Sequence, residues 1–204
     1  MKLTWYGHAC FMLQSCDGSV VFDPYVPGYV QGLTLPEITA DAVVCSHGHS
    51  DHNCAEAVTL SGNKPKFEMR QIHTFHDECR GAKRGDNLVT LVTAEGITVA
   101  HCGDLGHSLD AETLQALGKI DILMIPVGGV YTLDAAAAKA VCEQLKPTMI
   151  IPMHYRCGNV GLQNIAPVDD FLRLLDGSFI RRLPSNTLTV ESPLDASVCV
   201  FALE

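Results

Sequence analysis

Residues 46–52 read SHGHSDH, which places His47, His49, Asp51 and His52 within six positions. Imidazole and carboxylate donors at this density suit Zn²⁺ and its neighbours Mn, Fe, Co and Ni. The bland alternative is a solvated polar turn that is rich in histidine. His47 and His49 share one local direction, and Asp51 and His52 follow in a turn that can face a second ion. Four such residues are half of a metal site, so further donors are expected elsewhere. Other apolar segments also close on a good donor: EMRQIHTFH ends in His76, GITVAHCGD in Asp104, and MIIPMH in His154. α/β proteins bind ligands beyond the ends of their strands. Five imidazoles and two carboxylates gathered there would fill two four- or five-coordinate sites with one shared water-derived ligand.

The elements that must position these residues follow from hydrophobic periodicity. KLTWYG, CFMLQS and SVVFD predict three strands of an antiparallel start. ADAVVCSH predicts a compact buried strand running into the histidine cluster, and KFEMRQIHTFH a longer strand. NLVTLVTAEGITVAHCGD predicts a hairpin turning at Glu95–Gly96. The pattern then changes. LDAETLQALG predicts a short helix with Asp110 as N-cap and Gly118 as its stop. DILMIPV and TMIIPMH predict buried strands. LDAAAAKAVCEQLK and PVDDFLRLL predict two more helices, and the tail returns to strands. Strands first, then strand–helix alternation, predict sheets with helices on their outer faces. No linker or repeat divides the 204 residues, so one domain over residues 1–204 is expected.

Composition narrows the partners. Hydrophobic residues make up 47% and charged residues 18%, a globular balance, and the formal net charge is −9. That charge argues against broad attraction to nucleic acid or to an anionic membrane. Nine cysteines lack a CxxC pair or framework spacing and predict reduced thiols in a cytoplasmic protein. The opening MKLTWYGHACFML lacks a clear cleavage site, and no apolar stretch has the length of a membrane span.

SHGHSDH resembles the HxHxDH signature of the metallo-β-lactamase-fold hydrolases, and GD at Gly103–Asp104 and PMH at His154 extend the resemblance. WYGHACFML…VVFDP, FHDE, RGDN, HCGDLGH and PVGG are similar to the lactonase-like and phospholipase-D-like branch of that superfamily. The resemblance implies an αββα four-layer sandwich with a binuclear site at the edge between two sheets. It implies that His47, His49 and His76 hold one metal. Asp51, His52 and His154 would hold the other, with Asp104 bridging. Asp23 resembles the buried aspartate that orients the metal loop; the alternative is a turn residue before Pro24. Histidine at 49, where diiron oxidoreductase relatives carry glutamate, favours hydrolysis.

The expected cofactors are two divalent ions, Zn²⁺ foremost, with Mn, Fe, Co or Ni as alternatives. The expected activity is hydrolysis of a small ester, lactone or phosphodiester by a hydroxide shared between the ions, with Asp51 orienting the attack. A small polar or anionic substrate is the expected partner, without nucleic acid or membrane. The other readings are a nuclease, and a non-catalytic metal-binding or ligand-sensing protein. His8, His101 and His107 are candidates to lie behind the ligands. Arg84 and Asn87 would contact an anionic substrate or cap a loop. Tyr131 and Tyr155 would donate a proton or pack. Residues 25–37, YVPGYVQGLTLPE, are the expected mobile substrate loop.

Overall fold

The computed structural model describes residues 1–203. In chain order the strands are β1 (Lys2–Trp5), β2 (Phe11–Ser15), β3 (Gly18–Phe22), β4 (Ile38–Ala40), β5 (Ala42–Val44), β6 (Val58–Leu60), β7 (Glu68–Phe75), β8 (Asp86–Ala94), β9 (Ile97–His101), β10 (Ile122–Pro126), β11 (Met149–Met153), β12 (Ile180–Arg182), β13 (Thr187–Thr189) and β14 (Ser197–Val200). The helices are α1 (Ala111–Leu117), α2 (Ala135–Leu145) and α3 (Val168–Leu172). One five-stranded sheet has the order β13-β1-β2-β3-β5, and a seven-stranded sheet has the order β12-β14-β11-β10-β9-β8-β7. A two-stranded sheet pairs β4 with β6.

The period-two alternation of strands decides what each face covers. Phe11 and Leu13 of β2 and Val20 and Phe22 of β3 join the main core with the seven-stranded sheet. Met12 and Val21 face the other way, into a smaller cluster with Tyr25, Val30, Leu33, Ile38, Ala40 and Val58. β10 is buried at every residue because strands flank it on both sides and α2 lies against it. α1 starts where the Asp110 side chain accepts from Thr113 N, and α2 where Asp134 accepts from Ala137 N. Such caps are worth about 1 kcal/mol each. The α-helices pack on the seven-stranded side, whereas residues 25–37 and the two-stranded sheet cover the outer face of the five-stranded one.

The topology carries the donors to one edge. β9, β10 and β11 are parallel neighbours, and β7 reaches the same direction through two antiparallel pairings with β8 and β9. β7, β9 and β11 therefore end on the same side, followed by His76, Asp104 and His154. In the other sheet β3 and β5 are parallel, and their ends lead into Asp23 and Ser46–His47.

Three elements differ from expectation. β5 is half-buried rather than compactly buried, because it is an edge strand of its sheet. The tail splits between sheets: β13 pairs with β1, and β14 lies between β11 and β12. Residues 25–37 carry buried anchors at Tyr25, Val30 and Leu33, with Tyr25 Oη donating to Tyr6 O at 2.8 Å, while Tyr29 between them lines the cavity described below. Among the described residues no helix is long and apolar enough to cross a membrane.

Candidate metal centre

Asp104 is the hub of the donor cluster. Its Oδ2 lies 3.1 Å from His76 Nε2, 3.3 Å from His154 Nε2 and 3.8 Å from His47 Nε2, and its Oδ1 lies 3.1 Å from His52 Nε2. Three groups of donors have their ligand atoms within 4.8 Å of one another: His47, His49 and His76; His8, Asp51, His52 and His154; and His47, His52 and Asp104. The third group overlaps both of the others, so the donors form two adjoining foci with His47, His52 and Asp104 between them. The structure thus brings together all seven residues read as ligands from the sequence, and adds His8.

Hydrogen bonds on the far ring nitrogens set the tautomers. His52 Nδ1 donates to Asp23 Oδ2 at 2.7 Å. His76 Nδ1 donates to Tyr131 O at 3.1 Å. Ser46 Oγ donates to Asp23 Oδ2 at 2.6 Å and so accepts from His47 Nδ1 at 2.9 Å. Each of these rings therefore turns its Nε2 towards Asp104. Asp23 also accepts from Ser46 N at 2.7 Å, so one carboxylate orients both the metal loop and His52. Asp104 is held through its own N–H, which donates to Asn87 Oδ1 at 2.8 Å, while Asn87 Nδ2 donates to Thr74 Oγ1 and Cys102 O.

The backbone around the cluster is strained. His8, Asp23 and His154 have φ of 54°, 46° and 52°, in the left-handed region that non-glycine residues seldom occupy. Gly103, also left-handed at φ 54°, packs so tightly that a Cβ there would run into Asn87 Oδ1 and Ser46 Cβ.

Electrostatics favour a cation. Burial lowers His47 to about 3 and His8 to about 4, so both imidazoles are neutral at neutral pH. Burial also lowers His49. Burial would raise Asp104, yet His154 and His52 hold it well below the carboxylate range. Burial would lower His52, but Asp104 and Asp23 outweigh it and push it well above the imidazole range. Asp51 is lowered: burial opposes this, and His8 and His52 prevail. The fit to metal rests on orphaned atoms. His47 Nε2, His52 Nε2, His154 Nε2 and Asp104 Oδ1 are buried without a hydrogen bond. The close approaches of Asp104 to these rings lack hydrogen-bond alignment. A buried unsatisfied acceptor costs about 1–3 kcal/mol, and cations at these convergence points would satisfy the set. The nitrogen and carboxylate donors fit divalent metal.

The cluster opens into a cavity of about 300 Å³ lined by Tyr29, His49, Asp51, His76, Arg84, Asp104, Tyr131 and Leu162. Arg84 and Tyr131 are thus placed at the cavity. His101 lies behind the site: Nε2 donates to Ala9 O at 2.8 Å, Nδ1 accepts from Gly103 N, and the ring stacks on Phe22. His107 sits outside the cavity lining, because its Nε2 accepts from Phe75 N and its Nδ1 donates to Ser108 O. His73 points to solvent and pairs with Asp86 at 2.9 Å. Asn87 is fully buried under Asp104, which removes it as a substrate contact. Tyr155 packs on Trp5 and is 4% exposed.

His8 and Asp77 carry more of the site than their sequence context suggests. His8 Nε2 donates to Asp51 Oδ2 at 3.2 Å, and its ring centroid is 4.0 Å from that of His154. The buried Asp77 carboxylate accepts from the N–H groups of Cys79, Gly81, Lys83 and Arg84. The resemblance places His8 behind the ligands, whereas Asp77 is marked only by its position before a glycine-bearing turn.

Comparison with known proteins agrees with this geometry. The β-lactamase superfamily domain matches residues 2–154. A UPF0173 metal-dependent hydrolase of Carboxydothermus hydrogenoformans is 30% identical, over 86% of this chain and 93% of its own. One from Archaeoglobus fulgidus is 31% identical, over 76% and 83%. A crystal structure from Thermotoga maritima, assigned to the Zn-dependent hydrolases of the metallo-β-lactamase superfamily, is 36% identical. It superposes with a TM-score of 0.80 over 100% of this chain and 99% of its own. The strand-end donor cluster thus sits on a shared fold, and the chain belongs to the β-lactamase superfamily as a metal-dependent hydrolase.

Proposed function

We propose that the chain hydrolyses a small ester, lactone or phosphodiester with two divalent ions, Zn²⁺ foremost, in a reducing, cytoplasmic setting. The observation that carries this reading is the overlap of the donor groups: His47, His52 and Asp104 lie between His47/His49/His76 and His8/Asp51/His52/His154. His47, His49 and His76 would hold one ion and Asp51, His52 and His154 the other, with Asp104 between them. Bound there, such ions acidify a water and polarise a carbonyl or phosphoryl oxygen. Asp51, fixed by His8 and lining the cavity, orients the attacking water through its carboxylate. Asp23 keeps His52 in the Nδ1–H tautomer. His76 is fixed by Tyr131 O, so the wall beside the reacting group stays put. The nine free cysteines support a reducing compartment, and the lactonase-like and phospholipase-D-like motifs support these substrate classes.

Protein purified without chelator and loaded with Zn²⁺ or Mn²⁺ tests this. Elemental analysis should approach two ions per chain, and chromogenic esters, lactones or phosphodiesters should turn over, with loss of both in Asp104→Ala. One ion per chain with full activity would overturn the two-ion reading. Two ions with no turnover on any class would favour a ligand-sensing protein.

A further inference from the structure

The wall beside His76 carries an arginine that no acidic side chain neutralises. Arg84 lines the cavity, and the one hydrogen bond of its guanidinium among the described residues runs from Nη2 to Val130 O at 2.8 Å. Arg173 and Arg182, by contrast, lie against Asp170 and Asp169; Arg70 and Arg156 also bind only carbonyls, but neither lines this cavity. An unpaired guanidinium at a cavity wall of a protein with net charge −9 needs an explanation.

Its placement is built. The Asp77 carboxylate gathers the turn that follows His76, and its shortest such bond, 2.7 Å, is from Arg84 N itself. The guanidinium carbon sits 5.7 Å from the centroid of the Tyr131 ring. Tyr131 is fixed in turn: its carbonyl accepts from His76 Nδ1 at 3.1 Å, and its Oη accepts from Asn164 Nδ2 at 2.6 Å. The residue whose carbonyl orients a metal-facing imidazole therefore also sets its ring beside the arginine. A guanidinium has five donors in a planar fork that matches a carboxylate or a phosphate; Val130 O takes one. Beside the metal-facing donors, the cavity that Arg84 lines also presents Tyr131, Leu162 and Tyr29, the last 53% exposed.

We infer that the substrate carries, apart from its scissile bond, an anionic group at the end of a short apolar body, and that Arg84 binds that anion. The inference rests on the hydrolase reading above. The apolar body lies against Tyr29, Tyr131 and Leu162, and the scissile bond faces Asp51 and Asp104. The terminal anion is a carboxylate or a phosphoryl group; both fit the fork.

The test uses the metal-loaded protein and three matched esters: 4-nitrophenyl butyrate, mono-4-nitrophenyl glutarate and 4-nitrophenyl 4-phosphonobutyrate. The readout is kcat/KM on each anionic ester relative to butyrate. Wild type should favour one anionic ester by about tenfold or more, as charge-assisted hydrogen bonds imply, and the favoured ester identifies the anion. In Arg84→Gln the ratio should collapse towards one, and Arg84→Lys should restore part of it. Arg80→Gln, on the same turn, should keep the wild-type ratio. An unchanged ratio in Arg84→Gln, or a wild-type preference for butyrate, overturns the inference. Absence of ester turnover would count against the hydrolase reading on esters. Titration with the uncleaved anilides of glutaric and phosphonobutyric acid then decides the anion site independently. Tighter binding than butyranilide, lost in Arg84→Gln, supports it; equal binding of the anilides by both proteins overturns it.

Discussion

His52 Nδ1 lies 2.7 Å from Asp23 Oδ2, with both side chains buried, and the same oxygen accepts from Ser46 Oγ at 2.6 Å. One carboxylate thus fixes the tautomer of His52 and, through Ser46, that of His47. Asp23→Ala should leave both rings free to turn. The expected result is a loss of about 10–100-fold in metal affinity, the usual cost of removing a partner behind a metal-binding histidine. Competition with a chelator measures it, and wild-type affinity in the variant would show that Asp23 merely shapes its turn.

Gly103 precedes Asp104 with φ of 54°, and a Cβ there would meet Ser46 and Asn87, the residues that hold the metal loop and Asp104. Gly103→Ala should cost about 1–3 kcal/mol in stability from the backbone alone. It should also lower metal content by displacing Asp104. Thermal unfolding with and without chelator separates the two effects. A variant as stable and as metal-rich as wild type would mean that the segment relaxes freely.

Much of this centre was legible in the sequence because its parts are local. His47, His49, Asp51 and His52 are five positions apart at most, and His76, Asp104 and His154 each close an apolar run. What was not legible depends on contacts between distant segments. His8 meets Asp51 across 43 positions. Asn87, from the sequence either a substrate contact or a loop cap, supports Asp104 across 17 positions, and only the β8–β9 pairing makes that visible. The split of β13 and β14 between two sheets likewise has no local signature, since both are runs of only three or four residues. Residues 25–37 lacked periodicity and suggested a mobile loop; their three anchors, Tyr25, Val30 and Leu33, follow no regular spacing.

Burial of the imidazoles predicts an acid limb for the metal-free protein. His8 and His47 are lowered to about 4 and about 3 by burial, and His49 and His101 shift the same way. The unfolded chain then binds more protons than the folded one below about pH 6.5. Stability is therefore lost as pH falls from about 6.5 towards those folded values. The carboxylates contribute little above about pH 4.5, because they are ionised in both states. Thermal unfolding in chelator from pH 7 to 4.5 should show a falling Tm, with a shallower slope in His8→Gln. A flat profile over that range would contradict the assignment of neutral buried imidazoles.

The sharpest discrimination among the histidines sets His76 against His73 and His101. His73 and His76 are three residues apart, so a regular strand directs them to opposite faces. His73 meets Asp86 at the surface, whereas His76 Nε2 lies 3.1 Å from Asp104 Oδ2. His101 is buried but turned away, with Nε2 donating to Ala9 O and Nδ1 accepting from Gly103 N, so neither ring nitrogen is free for a metal. His76→Ala should lose the ion shared with His47 and His49, and with it turnover. His73→Ala should keep the wild-type metal content. His101→Ala should also keep its metal count but lose stability, since it empties a site stacked on Phe22. Elemental analysis and thermal unfolding of the three variants give the answer. Full metal content in His76→Ala, or loss of an ion in His73→Ala, would reverse the assignment.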